Sequence, residues 1–291
     1  MEYLSPKLDI VFKKMFSSEA NADMLKSLLN AYLGIGELGE YALTNVEMPP
    51  QTTDKKFSRL DLRVSTEKEE IDIEVQVLNK ANYTDRCLYY WATLYGSTVD
   101  SGKDYKTSKA TLSLNILDFN LFPPEQCKGF NTEFVFHDPI HNLTLTDKAR
   151  INIVELPKIR GATPEQIKSS EKIAWAAFFN AESEEDFDMI RQTTSSLNVQ
   201  KAVSVIRQLS EDEKMIEAAR MRKNDIFNEK SSLAGAREEG REEERAKIAN
   251  NLRAMGMSEE QIQKAIGTLD RSNIPVIEEP SEETETEAYE I

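Results

Sequence analysis

The stretch IDIEVQV, residues 71–77, alternates strictly between apolar and polar side chains. In an extended chain successive side chains point to opposite faces, so the isoleucines and valines share one face. Asp72, Glu74 and Gln76 share the other. The alternation predicts a β-strand with one apolar face for a core and one polar face that carries two carboxylates and an amide.

The preceding stretch LDLRV, residues 60–64, has the same period of two and sets Asp61 on its polar side. Neighbouring strands lie about 4.8 Å apart, so Asp61 on one strand and Glu74 on the next can lie side by side. Mg²⁺ prefers one or two carboxylates together with water and phosphate oxygens. The pair therefore suggests a divalent-metal site with Gln76 beside it, where its amide can orient a water. A solvent-facing side of an antiparallel sheet gives the same alternation.

Two predicted helices carry polar pairs spaced four residues apart, which places each pair on one helix face. Asp9 and Lys13 form the first pair, and Arg86 and Tyr90 form the second. Beside a metal site, Asp9 is a candidate third acidic ligand, Arg86 a candidate to hold a phosphate and Tyr90 to orient a water. The alternatives are a surface ion pair for the first pair and simple packing for the second.

The remaining pattern predicts an α/β fold with a mixed sheet and helices on its faces. A first helix is expected from Ser5-Pro6, where Ser and Pro form a typical helix start, and a second over residues 21–33. Further strands are expected over residues 41–48, 111–117, 130–136 and 151–156. From the capping box that begins at Thr163, the chain is expected to be almost wholly helical.

Charge and composition suggest three regions. Residues 1–160 are expected to form the catalytic domain, 161–277 a helical region and 278–291 a disordered acidic tail. The net charge is −15, of which residues 1–160 carry 19 Lys and Arg against 23 Asp and Glu, so −11 falls on residues 161–291. We expect the region from Thr163 onward to influence substrate binding without being needed to form the metal site.

Several classes of protein are disfavoured by the sequence. No stretch approaches the roughly 20 apolar residues that span a bilayer, and the N-terminus lacks the pattern of a secretory signal. The two cysteines, Cys87 and Cys127, show no zinc or disulfide spacing, which is typical of a reducing, cytoplasmic compartment. His137 and His141 stand four apart, but Pro139 between them disfavours a helix, so this spacing does not indicate a metal site.

Seven segments between residues 7 and 158 together resemble the Rpn family of recombination-promoting nucleases, also described as PD-(D/E)XK nuclease family transposases. The segments are KLDIVFKKMF (7–16), LDLRV (60–64), IEVQ (73–76), RCLYYWA (86–92), LDF (117–119), LTLTD (143–147) and VELPK (154–158). Because they occur in the right order, their combination is far more specific than any one of them.

The resemblance implies a restriction-endonuclease-like core that cuts DNA with Mg²⁺ or Mn²⁺, with Asp61 and Glu74 as metal ligands. Gln76 stands where the wider superfamily usually has lysine, which would shift charge stabilisation to the metal and to Arg86 or Lys13. We expect a metal-dependent DNA endonuclease linked to recombination or mobile elements, with DNA as partner. The helical C-terminal region is a candidate surface for homo-oligomerisation. The competing hypothesis is a catalytically idle nuclease fold that binds regulatory partners.

Overall fold

The structure, a computed structural model, describes residues 3–36, 39–44, 47–48, 58–59, 62–80, 82–99 and 102–269. Asp61 and the acidic segment 278–291 therefore lie outside the described residues. The helices are α1 (Asp9–Phe16), α2 (Ala22–Leu33), α3 (Tyr83–Gly96), α4 (Pro164–Ser169), α5 (Glu171–Asn180), α6 (Glu184–Thr193), α7 (Leu197–Leu209), α8 (Glu213–Ala254) and α9 (Glu259–Leu269).

The strands follow the expected mixed pattern. They are β1 (Ala42–Thr44), β2 (Glu47–Met48), β3 (Ser58–Arg59), β4 (Leu62–Ser65), β5 (Glu69–Gln76), β6 (Ala110–Leu117), β7 (Asn131–Val135), β8 (His137–Asp138), β9 (Leu143–Thr144) and β10 (Ala149–Glu155). Six of them form one sheet in the order β1-β4-β5-β6-β10-β7, while β2 with β3 and β8 with β9 form two-stranded sheets. The pairs β5–β6 and β6–β10 are parallel, and the other pairs of the large sheet are antiparallel.

The apolar face of β5 packs into the main core. Ile71, Ile73 and Val75 belong to one buried cluster with residues of α1, α2, α5 and α7. Aromatic side chains connect these helices: Phe16 lies 5.8 Å from Trp175 between ring centroids, and Trp175 is fully buried. Helix α5 is therefore part of the same core as the sheet.

Two compact units divide the chain, Met1–Phe227 and Asn228–Ile291. The boundary expected at residue 160 differs from this division because α4 to α7 bury their apolar faces in the core of the first unit. In the second unit, Ser258 and Gln261 form a capping box before α9, and Ile262 is buried. No helix in the described residues is long and apolar enough to cross a membrane.

Local capping explains where two of the helices begin. Thr163 and Gln166 form both hydrogen bonds of the expected capping box at α4. By contrast, α1 begins at Asp9 rather than at Ser5-Pro6, because residues 5–8 form a separate turn in which the Leu8 amide donates to the Ser5 carbonyl at 3.2 Å.

Candidate active site

The polar face of the sheet, defined by Glu70, Asp72, Glu74 and Gln76 of β5, lies under α3. Helix α3 is held there by Trp91, whose indole donates to the Thr111 carbonyl of β6 at 2.8 Å. As a result Asp72 is only 2% and Glu74 only 4% exposed. This face is buried, not solvent-facing as simple strand alternation would allow.

Glu74 and Gln76 are connected to α3 by consecutive hydrogen bonds. The Gln76 amide nitrogen donates to Glu74 Oε2 at 2.9 Å, and the Gln76 carbonyl oxygen accepts from Arg86 Nη2 at 3.2 Å. The Arg86 guanidinium also lies over the Tyr83 ring, 5.0 Å from its centroid. The NH₂ group of the Gln76 amide therefore faces an acceptor, the carboxylate, and its oxygen faces a donor, the guanidinium.

Beneath these side chains, Asn115 of β6 organises a buried polar network. Its side-chain oxygen accepts from Tyr83 Oη and Cys87 Sγ, each at 2.9 Å. Its amide nitrogen donates to Ser113 Oγ at 2.9 Å, and Ser113 in turn donates to Asp72 Oδ2 at 3.3 Å. Burial raises the pKa of Cys87 to about 12 and also raises that of Tyr83, so both groups are neutral near pH 7.

Glu70 forms a charge cluster at the other end of β5. Its carboxylate accepts from Arg63 Nε at 2.8 Å, from Lys109 Nζ at 3.0 Å and from Ser65 Oγ at 2.5 Å. Burial alone raises the pKa of the Glu70 carboxyl, but the hydrogen bonds from these partners outweigh it and hold the pKa below its usual value. Glu70 is thus a satisfied structural carboxylate.

Of the predicted metal ligands, Glu74 lies on the polar face, Asp61 lies outside the described residues and Asp9 lies elsewhere. Leu62, the residue after Asp61 in the chain, pairs with Ile73, the residue before Glu74. Asp9 Oδ1 accepts from Arg222 Nε of α8 at 2.9 Å. Because α1 packs against the apolar face, the structure does not bring Asp9 to Glu74.

The predicted substrate contacts are divided between two helices. Arg86 and Tyr90 lie half-buried on α3, whereas Lys13 lies half-buried on α1, on the other side of the sheet. The two histidines are remote from both helices in sequence: His137 starts the short strand β8, and His141 lies 2.5 Å from Asp138.

Three polar features of the structure were not identified from the sequence. One is Asn115, which the alternation of Ser113 and Asn115 in TLSLNIL would have placed on the polar face. Another is Glu155, which is fully buried, pairs with Lys158 at 2.6 Å and accepts from the amides of Leu121 and Phe122. The last is Lys7, which pairs with Asp118 at 2.9 Å.

The donor chemistry of the polar face fits half of a divalent-metal site. Glu74 supplies a buried carboxylate, the ligand type that Mg²⁺ prefers, and Gln76 orients it. Among the described residues, no group of three or more His, Cys, Asp and Glu side chains is arranged to hold a metal ion. Asp61, the second ligand that the sequence predicts, lies outside the described residues.

Comparisons with known proteins found one family. The model of the PD-(D/E)XK nuclease family transposase matches residues 6–236, which include β4, β5 and α3. Neither the curated proteins nor the solved structures gave a match. The match covers most of the chain and agrees with the mixed sheet flanked by helices, and it shows that the chain belongs to the PD-(D/E)XK nuclease family transposases.

Proposed function

We propose that the protein is a Mg²⁺- or Mn²⁺-dependent DNA endonuclease that hydrolyses phosphodiester bonds in recombination or in the movement of mobile elements. The observation that carries the proposal is the buried carboxylate of Glu74, held by Gln76 on the polar face. A carboxylate is the ligand type that Mg²⁺ prefers, and this one lies on the polar face beside an amide that orients it. Membership of a nuclease family makes a metal-binding role the simplest explanation for it.

In this proposal Asp61 and Glu74 hold the metal ion. The ion, when bound, lowers the pKa of a water and stabilises the charge that develops on the phosphate. Gln76 keeps the Glu74 carboxylate in one orientation through its hydrogen bond at 2.9 Å. An amide nitrogen carries two hydrogens, and no described residue accepts the second one, which is left for a water or a phosphate oxygen.

Helix α3 supplies the remaining groups. Burial under α3 excludes water from the floor of the site, which strengthens the electrostatic interactions above it. Tyr90, one turn after Arg86, is proposed to contact the DNA backbone near the scissile bond. Asp9 is left out of the proposed ligand set because Arg222 engages its carboxylate, and Lys13 is left as a contact to DNA outside the metal site.

Cleavage of supercoiled plasmid in Mg²⁺ or Mn²⁺ tests this function. We expect wild-type protein to nick or linearise the plasmid and EDTA to stop it. Asp61→Asn and Glu74→Gln should each lower the rate at least about 100-fold, because each removes a charge that binds the metal while keeping the side-chain shape.

Glu67→Gln is the matched control, because it removes the same charge from an exposed turn next to β5 and should cut like wild type. Wild-type protein that does not cut in either metal would exclude the endonuclease and favour the catalytically idle alternative. Wild-type rates in Glu74→Gln would exclude the site assignment.

A further inference from the structure

We propose that Arg86 is a positioning residue that fixes the orientation of the Gln76 amide, and that the two side chains together replace the lysine of the wider superfamily. The inference rests on the proposed function, because it concerns the same site. It assigns Arg86 a role other than the phosphate contact that its position on α3 suggests from the sequence alone.

The amide of Gln76 has two possible orientations that differ by a flip of its end. In the observed one, the nitrogen donates to Glu74 Oε2 at 2.9 Å and the oxygen accepts from Arg86 Nη2 at 3.2 Å. The flip would put the amide oxygen against the carboxylate and the NH₂ group against the guanidinium. Both contacts would then be between like groups, two acceptors or two donors. Glu74 and Arg86 therefore both favour the orientation that turns the NH₂ group toward Glu74, and Arg86 adds the contact that holds the amide oxygen in place.

Arg86 is itself held in place by the Tyr83 ring. Its guanidinium lies 5.0 Å from the centroid of the Tyr83 ring, a cation–π distance. The Tyr83 hydroxyl donates to Asn115 Oδ1 at 2.9 Å, and Asn115 is anchored to the neighbouring strand through the Asn152 carbonyl at 3.2 Å. A chain of contacts, buried at Asn115 and half-buried at Arg86 and Gln76, thus runs from β10 to the Gln76 amide, and such pre-organisation is what a reactive site requires.

Charge explains why the arrangement suits an amide. A lysine at position 76 would place an ammonium beside the guanidinium of Arg86, and like charges at that distance repel. A glutamine accepts from Arg86 and still offers N–H donors to Glu74 and to a ligand. The positive charge of the site thus comes from Arg86 on α3. The guanidinium polarises the Gln76 amide, whose N–H groups face Glu74.

The side-chain NH₂ signal of Gln76 in a ¹⁵N-correlated NMR spectrum measures the amide orientation without any need for activity. The signal is assigned by its loss in Gln76→Leu. In Arg86→Met it should move toward the position of an exposed glutamine and exchange with solvent about tenfold faster, whereas Arg86→Lys should show an intermediate position.

Arg220→Met is the matched control, because it removes an exposed arginine on α8 and should leave the Gln76 signal unchanged. Unchanged backbone signals show that the variants fold. An unmoved Gln76 signal in a folded Arg86→Met protein overturns the proposal.

Cleavage kinetics give the second test. A positioning role predicts that Arg86→Met lowers kcat about 10- to 100-fold with little change in KM for DNA, since small misplacement costs turnover. Arg86→Met and Gln76→Ala should then be non-additive, because both remove the same contact. Arg86→Lys should restore part of the lost turnover.

A phosphate contact predicts the opposite set of results: a raised KM, a salt dependence of DNA binding that is lower by about one charge, and effects that add to those of Gln76→Ala. That set overturns the proposal. If the wild-type protein does not cut DNA, the proposed function fails, and the NMR result alone decides the role of Arg86.

Discussion

At the scale of single residues, the side chains of the polar face differ in how they are satisfied. Glu74 is held by the neutral amide of Gln76, whereas Glu70 is held by the two cations Arg63 and Lys109. A carboxylate already surrounded by cations has little to offer a metal ion, since its charge is neutralised. Glu70 is therefore a poor candidate ligand, and Glu74 stays the ligand that the sequence predicts on this face.

We predict that Glu70→Gln destabilises the fold by about 2 kcal/mol at pH 7, because it leaves two partly buried cations without their counter-charge. The pKa of Glu70 is lower in the folded state than its usual value of 4.5. Its contribution is therefore fully present above pH 4.5 and is lost as the pH falls through the folded-state pKa. Urea unfolding at pH 7 and pH 3 measures both effects.

The difference in unfolding free energy between wild type and Glu70→Gln should shrink at pH 3. Glu69→Gln, on the opposite face of the same strand, is the control for a simple loss of charge. A difference that stays constant between the two pH values would show that the ion cluster is not the cause.

Residue patterns predicted which side chains share the polar face, but they did not predict how deeply those side chains are buried or which distant residues they contact. The period of two assigns Glu74 and Gln76 to one face by local geometry alone. That Glu74 is 4% exposed depends on α3, which is placed by contacts distant in sequence such as that of Trp91 with Thr111. The ion pair of Asp9 with Arg222 joins residues 213 positions apart, and no local pattern indicates it.

At the scale of elements, the strongly periodic segments were predicted well. Strands β5 and β6 lie where the sequence pattern puts them. The mixed sheet also follows from the order of the elements. The packing of α4 to α7 into the core of the first unit was not predicted. An apolar helix face shows that a helix is buried but not which core it joins.

Helix α5 supplies the test at this scale. Trp175, Phe178 and Phe179 are all fully buried, and full burial of a large apolar side chain contributes about 1.5–3 kcal/mol. We predict that a fragment of residues 1–160 does not fold, whereas a fragment of residues 1–227 unfolds cooperatively. Circular dichroism melting of the two fragments measures this.

The packing of α5 in the core of the first unit bears on the expectation that the metal site forms without the region after Thr163, and the fragment of residues 1–160 tests that expectation. Trp175→Ala in the full chain is the companion variant, and it should lower stability by about 3–5 kcal/mol. Cooperative melting of the fragment 1–160 would show that the sheet needs no cover from α5.

At the scale of the whole molecule, negative charge opposes the approach of DNA. Of the net charge of −15, residues 161–291 carry −11, and seven glutamates fall within residues 278–291. Affinity for DNA comes mainly from Lys and Arg. The acidic C-terminal segment is therefore expected to weaken binding through electrostatic repulsion.

Deletion of residues 278–291 should strengthen DNA binding several-fold at low ionic strength. The gain should shrink as salt rises, because the screening length falls to about 8 Å at 0.15 M. Fluorescence anisotropy with labelled DNA at two salt concentrations measures it. A chain with all seven glutamates changed to glutamine keeps the length and should behave like the deletion, and equal affinities at low salt for all three proteins would contradict the prediction.

The central claim is that Glu74, together with Asp61, binds the divalent ion, and Mn²⁺ titration followed by electron paramagnetic resonance of the free ion tests it most directly. We predict that wild type and Glu67→Gln bind Mn²⁺ with the same affinity. Asp61→Asn and Glu74→Gln should each weaken binding at least about tenfold. Wild-type affinity in Glu74→Gln would contradict the account, because the ion would then be held elsewhere.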